Sequence, residues 1–286
     1  MIFKIGGKTM NYLVTYADDL YKKAQRLCTY TGKKVAKFDA IFEFGPNDID
    51  CNFRKDNEEI LSYRRGNGLW LWKPYFILKA LNDLQDGDIL FYADSGVLFV
   101  RNFKKIFAQI ESSEIWVTDL PLLEYQFTKN EVMTRMDADD IGITRQISAS
   151  FIGIKKNERT VHFIENWLEL CKDKKLLSPD ISADKERKDF IQHREDQSIL
   201  SLLCKKNGIK AYMDISEYGI YPDMYCIRKD VVFKPRDDNG YKIPFVIHYR
   251  RWKVLGRTLI KDAFLLCIPR RIGKKLIRRR KRMCWG

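Results

Sequence analysis

The run Ile89-Leu90-Phe91-Tyr92-Ala93-Asp94-Ser95-Gly96-Val97-Leu98-Phe99 sets a carboxylate and a glycine between two apolar stretches. An unpaired carboxylate is too costly to bury, so Asp94 is expected at the carboxyl end of a strand, facing a cleft, a cation or a phosphate. A second group of useful residue types precedes it. Arg65-Gly66-Asn67-Gly68-Leu69-Trp70-Leu71-Trp72-Lys73-Pro74-Tyr75 brings two glycines, two tryptophans and a lysine to the start of a helix. Such a segment offers flexible backbone, stacking surfaces and a cation at the positive end of a helix dipole, which suits an anionic, ring-bearing ligand. Trp70 and Trp72 read equally as core residues, and Lys73 also as a solvated one.

Three further groups carry chemistry-bearing side chains. His193-Arg194-Glu195-Asp196-Gln197-Ser198 opens an apolar helical run, where Asp196 reads as a helix N-cap. His248 sits in Phe245-Val246-Ile247-His248-Tyr249-Arg250-Arg251-Trp252-Lys253, and a lone histidine on an apolar strand reads first as a satisfied core residue. Asp137-Ala138-Asp139 has no apolar strand in front of it, so it is read as a solvated loop or helix start rather than a pair of converging carboxylates.

The elements that must position these groups alternate. Asn11 to Tyr16 reads as a buried strand, Asp19 to Thr31 as a helix and Lys37 to Phe44 as a second strand, a βαβ opening. Pro74 starts an apolar helix that breaks at Asp86-Gly87-Asp88 before the Ile89 strand. Asn102 is placed to cap a helix through Ile110, and Ile115 to Thr118 reads as a strand. Gln146 to Ile154 reads as a strand, Arg159 to Cys171 as a helix, Lys172 to Lys188 as a charged, mobile segment and Asp196 to Lys206 as a helix. Ile209 to Met213 and Pro244 to Tyr249 read as short strands. The pattern predicts an α/β fold with a mostly parallel sheet flanked by helices.

With 286 residues, 45% hydrophobic and 13% aromatic, the chain has enough apolar material for a large core. The net charge of +14 is uneven: residues 250–286 hold fourteen of the 52 Lys/Arg and one of the 38 Asp/Glu, and positions 1–249 are near neutral. Seven scattered cysteines without a CxxC spacing argue against a disulfide framework and a zinc site, and fit a reducing cytosol. No signal peptide and no span of about 20 apolar residues is read, so the protein is expected in solution or on a membrane surface.

Gly68-Leu69-Trp70-Leu71-Trp72-Lys73-Pro74-Tyr75, the block Gly87 to Gly96, and His193 to Ser198 resemble a group of bacterial glycosyltransferases found among surface-polysaccharide (capsule and lipopolysaccharide) enzymes. The resemblance covers roughly residues 10 to 250. It implies a GT-A-type (Rossmann-like) domain over residues 1–252, in which an Asp-x-Asp motif after a strand holds a divalent cation, manganese or magnesium, on the donor diphosphate. Here the motif is Asp94-Ser95-Gly96, so the second carboxylate is missing. The cation would be held by Asp94, diphosphate oxygens and water, with His248 as a further ligand.

The resemblance also implies a donor site of Tyr16, Asp39, Arg65, Trp70, Trp72, Lys73, Asp94, Ser95, Gly96 and Lys253. The acceptor side would take Gln146, Ser148, His193, Asp196 and Gln197. Asp94 and Asp196 are the groups expected to do the chemistry, and Lys73 and Lys253 to neutralise phosphate. The implied reaction moves a sugar from a nucleotide-diphosphate donor, with uridine diphosphate favoured, to a hydroxyl of a lipid-linked glycan. Retention of configuration is preferred from the resemblance alone. The contrasting class is a non-catalytic sugar- or membrane-binding protein that kept the fold, favoured by the missing second carboxylate.

Residues 253–286 mix apolar residues with dense cations, and Ile268, Ile272 and Leu276 recur at helical spacing. This basic amphipathic tail is read first as a segment for an anionic membrane surface, with Trp285 at headgroup depth. A solvated extension ranks second and nucleic-acid binding last, because the body is neutral and carries no nucleic-acid motif. The expected location is the inner face of the cell membrane.

Overall fold

The computed structural model describes residues 9–181, 186–222, 230–236 and 240–248. Its strands sort their apolar side chains by the period of two that a pleated ribbon imposes. In β1 (Asn11–Tyr16), Tyr12, Val14 and Tyr16 join one core and Leu13 the other. In β3 (Ile89–Ala93), Leu90 and Tyr92 go to the first core, while Ile89, Phe91 and Ala93 go to the second. All five residues of β3 are buried, as expected of a strand covered on both faces.

The main sheet has six strands in the order β2-β1-β3-β6-β5-β7, with β2 at Ala40–Phe44, β5 at Ile115–Leu123, β6 at Arg145–Lys155 and β7 at Tyr212–Met213. The β1–β2, β1–β3 and β5–β7 pairs are parallel, and β6 runs antiparallel to both β3 and β5. The βαβ opening is present, with α1 (Lys22–Thr31) as its crossover. A second, two-stranded sheet pairs β4 (Val97–Phe99) with β8 (Val246–His248), antiparallel.

Helices cover both faces. The first core takes α2 (Trp72–Asn82), α4 (Glu158–Lys172) and α5 (Glu195–Lys206). The second takes Ile106 and Ile110 of α3 (Lys104–Ser113) with Phe91, Phe103, Trp116 and Phe151. Gly153 lets α3 approach β6: a Cβ there would lie 2.5 Å from Ile110 Cδ1. Asn102 does meet the start of α3, its Oδ1 accepting from Lys104 N at 2.7 Å.

The charged stretch after Lys172, expected to be mobile, is tied down where it is described. It holds a helical turn at Lys174–Leu177. Lys129 Nζ donates to Ser178 O at 2.7 Å and Asp180 O at 3.2 Å. Arg187 donates to the carbonyls of Tyr125 and Thr128. Arg187 bonds to a distant segment's backbone and Lys174 pairs with Glu59, partners that no local pattern reports. The 253–286 tail and the boundary at 252 lie outside the described residues. Among the described residues, no helix is long and apolar enough to cross a membrane.

Candidate active site

Strand β3 ends at Ala93, and the Asp94 amide closes the ladder by donating to Ser150 O at 3.1 Å. The Asp94 side chain is 38% exposed and faces a cavity of about 490 Å³ at the carboxyl ends of β1 and β3. Tyr92, two residues back on the same strand face, donates its hydroxyl to Asp94 Oδ1 at 2.6 Å. Burial, and then the Asp94 charge, hold the Tyr92 phenol well above its usual range, so it stays a donor.

Beneath Asp94 lies a buried ion pair. Lys73 Nζ sits 2.8 Å from Asp196 Oδ2 and 3.8 Å from Asp94 Oδ1, with Lys73 4% and Asp196 3% exposed. Burial pulls the Lys73 ammonium down, but the two carboxylates outweigh it and the net direction is up. Burial pushes the Asp196 carboxyl up to about 6, against the pull of Lys73 and with Asp94 adding to the rise.

One wall of the cavity is aromatic. Gly66, Asn67, Gly68, Leu69 and Trp70 all have φ between 51° and 94°, a left-handed turn. Left-handed backbone costs an ordinary L-residue roughly 1–2 kcal/mol, so the turn needs compensating bonds. Gly68 N donates to Tyr63 O at 2.8 Å, Leu69 N to Arg65 O at 2.9 Å and Trp72 Nε1 to Gly66 O at 2.8 Å. Gly68 is required twice over, by its φ of +94° and because a Cβ would lie 2.9 Å from Leu61 Cδ2. The turn delivers Trp72 onto Tyr16, rings stacked at 3.8 Å and 19°, and Asn67 donates to the Tyr16 hydroxyl.

The opposite wall is polar and backed by a buried chain. Gln197, on the cavity, donates Nε2 to Gln146 Oε1 at 2.8 Å and accepts at Oε1 from Ala149 N at 3.2 Å. Gln146 Nε2 in turn donates to Glu124 Oε1 at 3.2 Å, which also accepts from Thr128 Oγ1 at 2.6 Å. Glu124 is fully buried, and its Oε2 accepts from Ser201 Oγ at 2.6 Å and pairs with Lys205. Ser148 and Ser150 of β6 complete this wall.

His248 ends β8 opposite Val97, which brings it to the cavity beside Asp94, Ser95 and Gly96. Its amide donates to both Glu217 carboxylate oxygens at 3.2 and 3.0 Å, and its Nδ1 lies 3.4 Å from Glu217 Oε2. A carboxylate at one ring nitrogen is the arrangement that orients a ligating imidazole. Among the described residues, no three His, Cys, Asp or Glu side chains gather as a metal cluster. Asp94 and His248 bring one carboxylate and one imidazole to the same cavity, donor types that a manganese ion takes alongside phosphate oxygens and water.

Of the residues expected from sequence, Tyr16, Trp70, Trp72, Asp94, Ser95, Gly96, Ser148, Gln197 and His248 line this one cavity. Others are placed elsewhere. Lys73 and Asp196 do not line it; they form the pair under Asp94, because a buried ammonium needs a carboxylate partner. Asp196 is not the N-cap either: that position is Arg194, whose amide donates to Ser198 Oγ at 3.0 Å. Asp39 sits before β2, at the far end of the sheet, accepting from Asn11 N at 2.8 Å. Arg65 is spent on Glu195. Gln146 lies one layer behind Gln197.

His193 is buried with Nε2 2.9 Å from Leu176 O, and burial, with the Lys129 charge, pulls its pKa down to about 3, so it is neutral. Asp137 is 94% exposed at the side chain, and neither it nor Asp139 lines the cavity. Lys253 lies outside the described residues.

Sequence reasoning missed Asn67, Tyr92, Arg64, Arg194 and Glu217. Tyr92 was findable, since i−2 on a strand shares the face of Asp94. Glu217 was not, because only the fold brings its turn (Glu217–Ile220) to β8.

No family model and no curated protein matches the sequence. Among solved structures, the chain is similar to the galactosyltransferase LgtC, determined with donor and acceptor sugar analogues, at 15% identity and a TM-score of 0.49, covering 90% of this chain and 97% of that one. It is similar to the glycosyltransferase GlyE of Streptococcus pneumoniae at 11% identity and a TM-score of 0.48, covering 94% and 63%. Mouse xyloside xylosyltransferase 1 follows at 9% identity and a TM-score of 0.46, covering 84% and 98%.

Proposed function

We propose that this chain is a GT-A-type glycosyltransferase that moves a sugar from a nucleotide-diphosphate donor to a hydroxyl of a glycan acceptor. The observation that carries the reading is convergence: a carboxylate at a strand end, an aromatic stack and an amide wall meet in one cavity. Stacked rings suit a nucleoside base, and Asp94 and His248 would hold a divalent cation beside the donor diphosphate. That cation, when bound, would lower the cost of negative charge on the departing diphosphate.

The chain's own residues bind and position. Tyr92 and Lys73 hold the Asp94 carboxylate in place, and Asp196 holds Lys73. Gln197 and Ser148 present hydrogen-bonding groups on the acceptor side. In the transfer, the bond from the anomeric carbon to diphosphate breaks with its electron pair leaving on the phosphate. The acceptor oxygen bonds to that carbon, and its proton goes to the departing diphosphate or to water. Rate enhancement then rests on positioning and on leaving-group stabilisation.

The finer reading is a hexosyltransferase using a uridine-diphosphate donor and manganese or magnesium in surface-polysaccharide synthesis. Its lipid-linked acceptor would be reached from the inner membrane face through the basic tail. Vesicle flotation of the full chain with and without anionic lipid tests that last part, and equal flotation would sink it. The function itself is tested by donor hydrolysis across a panel of nucleotide sugars, with and without manganese. Turnover of one donor is expected; binding of a sugar without turnover of any donor favours the non-catalytic reading, to which Gly96 at the second motif position points.

A further inference from the structure

Lys73, the cation nearest Asp94, is unavailable to a ligand: it is 4% exposed and shared between two carboxylates at 2.8 and 3.8 Å. Side-chain positive charge for an anionic substrate group must therefore come from elsewhere on the cavity. Two arginines stand on the same cavity. Arg64 and Arg194 both line the cavity, although 130 residues separate them in sequence.

Their neighbours explain the meeting. Arg65 Nε is 2.5 Å from Glu195 Oε1 and Arg65 Nη2 is 3.4 Å from Oε2, a fork that clamps the two segments together. Glu195 is 3% exposed and has φ of 41°, so the clamp is buried on one side and costs backbone strain there. With one residue of each segment spent on the clamp, the preceding residue of each is delivered to the cavity. The Arg194 guanidinium also lies over the Phe127 ring at 4.6 Å, which restrains it. Arg64 makes no ion pair among the described residues.

We propose that Arg64 and Arg194 form an anion-binding pair for a phosphoryl group of the substrate. On the transferase reading, from which this inference takes its ligand, that group is the donor diphosphate. Guanidinium forks match phosphate oxygens in a way a single ammonium does not.

The test is calorimetric titration with inorganic pyrophosphate and with uridine diphosphate, in a chelator so that no metal mediates, on the full chain and on Arg64→Gln, Arg194→Lys and the double Gln variant. Arg64→Gln is expected to weaken pyrophosphate binding about tenfold and the double Gln variant more, with Arg194→Lys falling between wild type and the double variant. A parallel loss for uridine diphosphate identifies the donor as the source; loss for pyrophosphate alone identifies an acceptor phosphate. Unchanged pyrophosphate affinity in Arg64→Gln, whose side chain is exposed and whose folding is not at risk, overturns the proposal, as does a wild type that does not bind pyrophosphate. Donor turnover with pyrophosphate binding unaffected by the variants sinks the pair and spares the transferase. Arginine-dependent pyrophosphate binding with no donor turned over does the reverse.

Discussion

The two walls of the cavity are held by different forces. On one side, Tyr16, Trp72 and Phe76 stack, with ring centroids 3.8 and 5.5 Å apart, and the left-handed turn that aims Trp72 is braced by main-chain bonds. On the other, Gln197 is aimed by a relay through Gln146 to Glu124 and Lys205, all of it buried or nearly so. Apolar burial is non-directional, and its loss scales with how much of a side chain is trimmed. A buried polar relay fails abruptly, because each lost partner leaves another group desolvated and unpaired. The aromatic wall should tolerate change, and the polar wall should not.

Removing the relay's end is the strongest way to break that contrast. Glu124→Ala strands Lys205, Ser201, Thr128 and Gln146 together, and a loss of about 3–5 kcal/mol is expected in urea unfolding. A loss below about 1 kcal/mol would mean the polar wall is no more brittle than the aromatic one.

The pair beneath Asp94 sharpens the contrast through pH. The Asp196 carboxyl is raised from 3.8 to about 6 in the fold, so it keeps its proton to higher pH than the unfolded chain does. Its contribution to stability is therefore full below the unfolded value and lost as pH rises through about 6. The stability of wild type relative to Asp196→Asn should fall between about pH 4 and pH 7; a constant difference would show that burial does not govern this carboxyl.

A milder probe touches the aromatic wall. Trp72→Phe keeps a ring on Tyr16 but loses the bond to Gly66 O, and about 1 kcal/mol of stability is expected to go, with donor KM rising and kcat nearly unchanged. A kcat collapse would show that the left-handed turn, and not only the stack, sets the geometry. The smallest effect is expected at Asp137→Ala: stability within about 0.5 kcal/mol of wild type and unchanged turnover. Loss of cation-dependent turnover there would move the site away from Asp94.

The contrast also explains what the sequence could tell. Strands β1 and β3 announced themselves because both faces are buried, and Asp94 stood out as a charge at the end of such a run. The tryptophan segment was visible as a wall, and its left-handed path was not, since Leu69 and Trp70 are residues that ordinarily avoid positive φ. Lys73 was read as a ligand contact because its partner Asp196 lies 123 positions away, and Asp39 because its bond to Asn11 closes only when β1 and β2 pair. Direction was equally hidden: β6 has the same apolar pattern whether it runs with β3 or against it. The polar relay joins residues from Glu124 to Lys205, each unremarkable in its own stretch.

The central claim is that the Asp94 carboxylate, at the end of β3, is where donor chemistry happens. It is tested most directly by single-turnover rates of wild type and Asp94→Asn on whichever nucleotide sugar the wild type consumes, with thermal unfolding alongside. A fall of about a hundredfold or more with the unfolding midpoint nearly unmoved is the predicted result, since the side chain is 38% exposed and its removal costs little packing. An Asp94→Asn protein that turns the donor over at the wild-type rate would contradict the account.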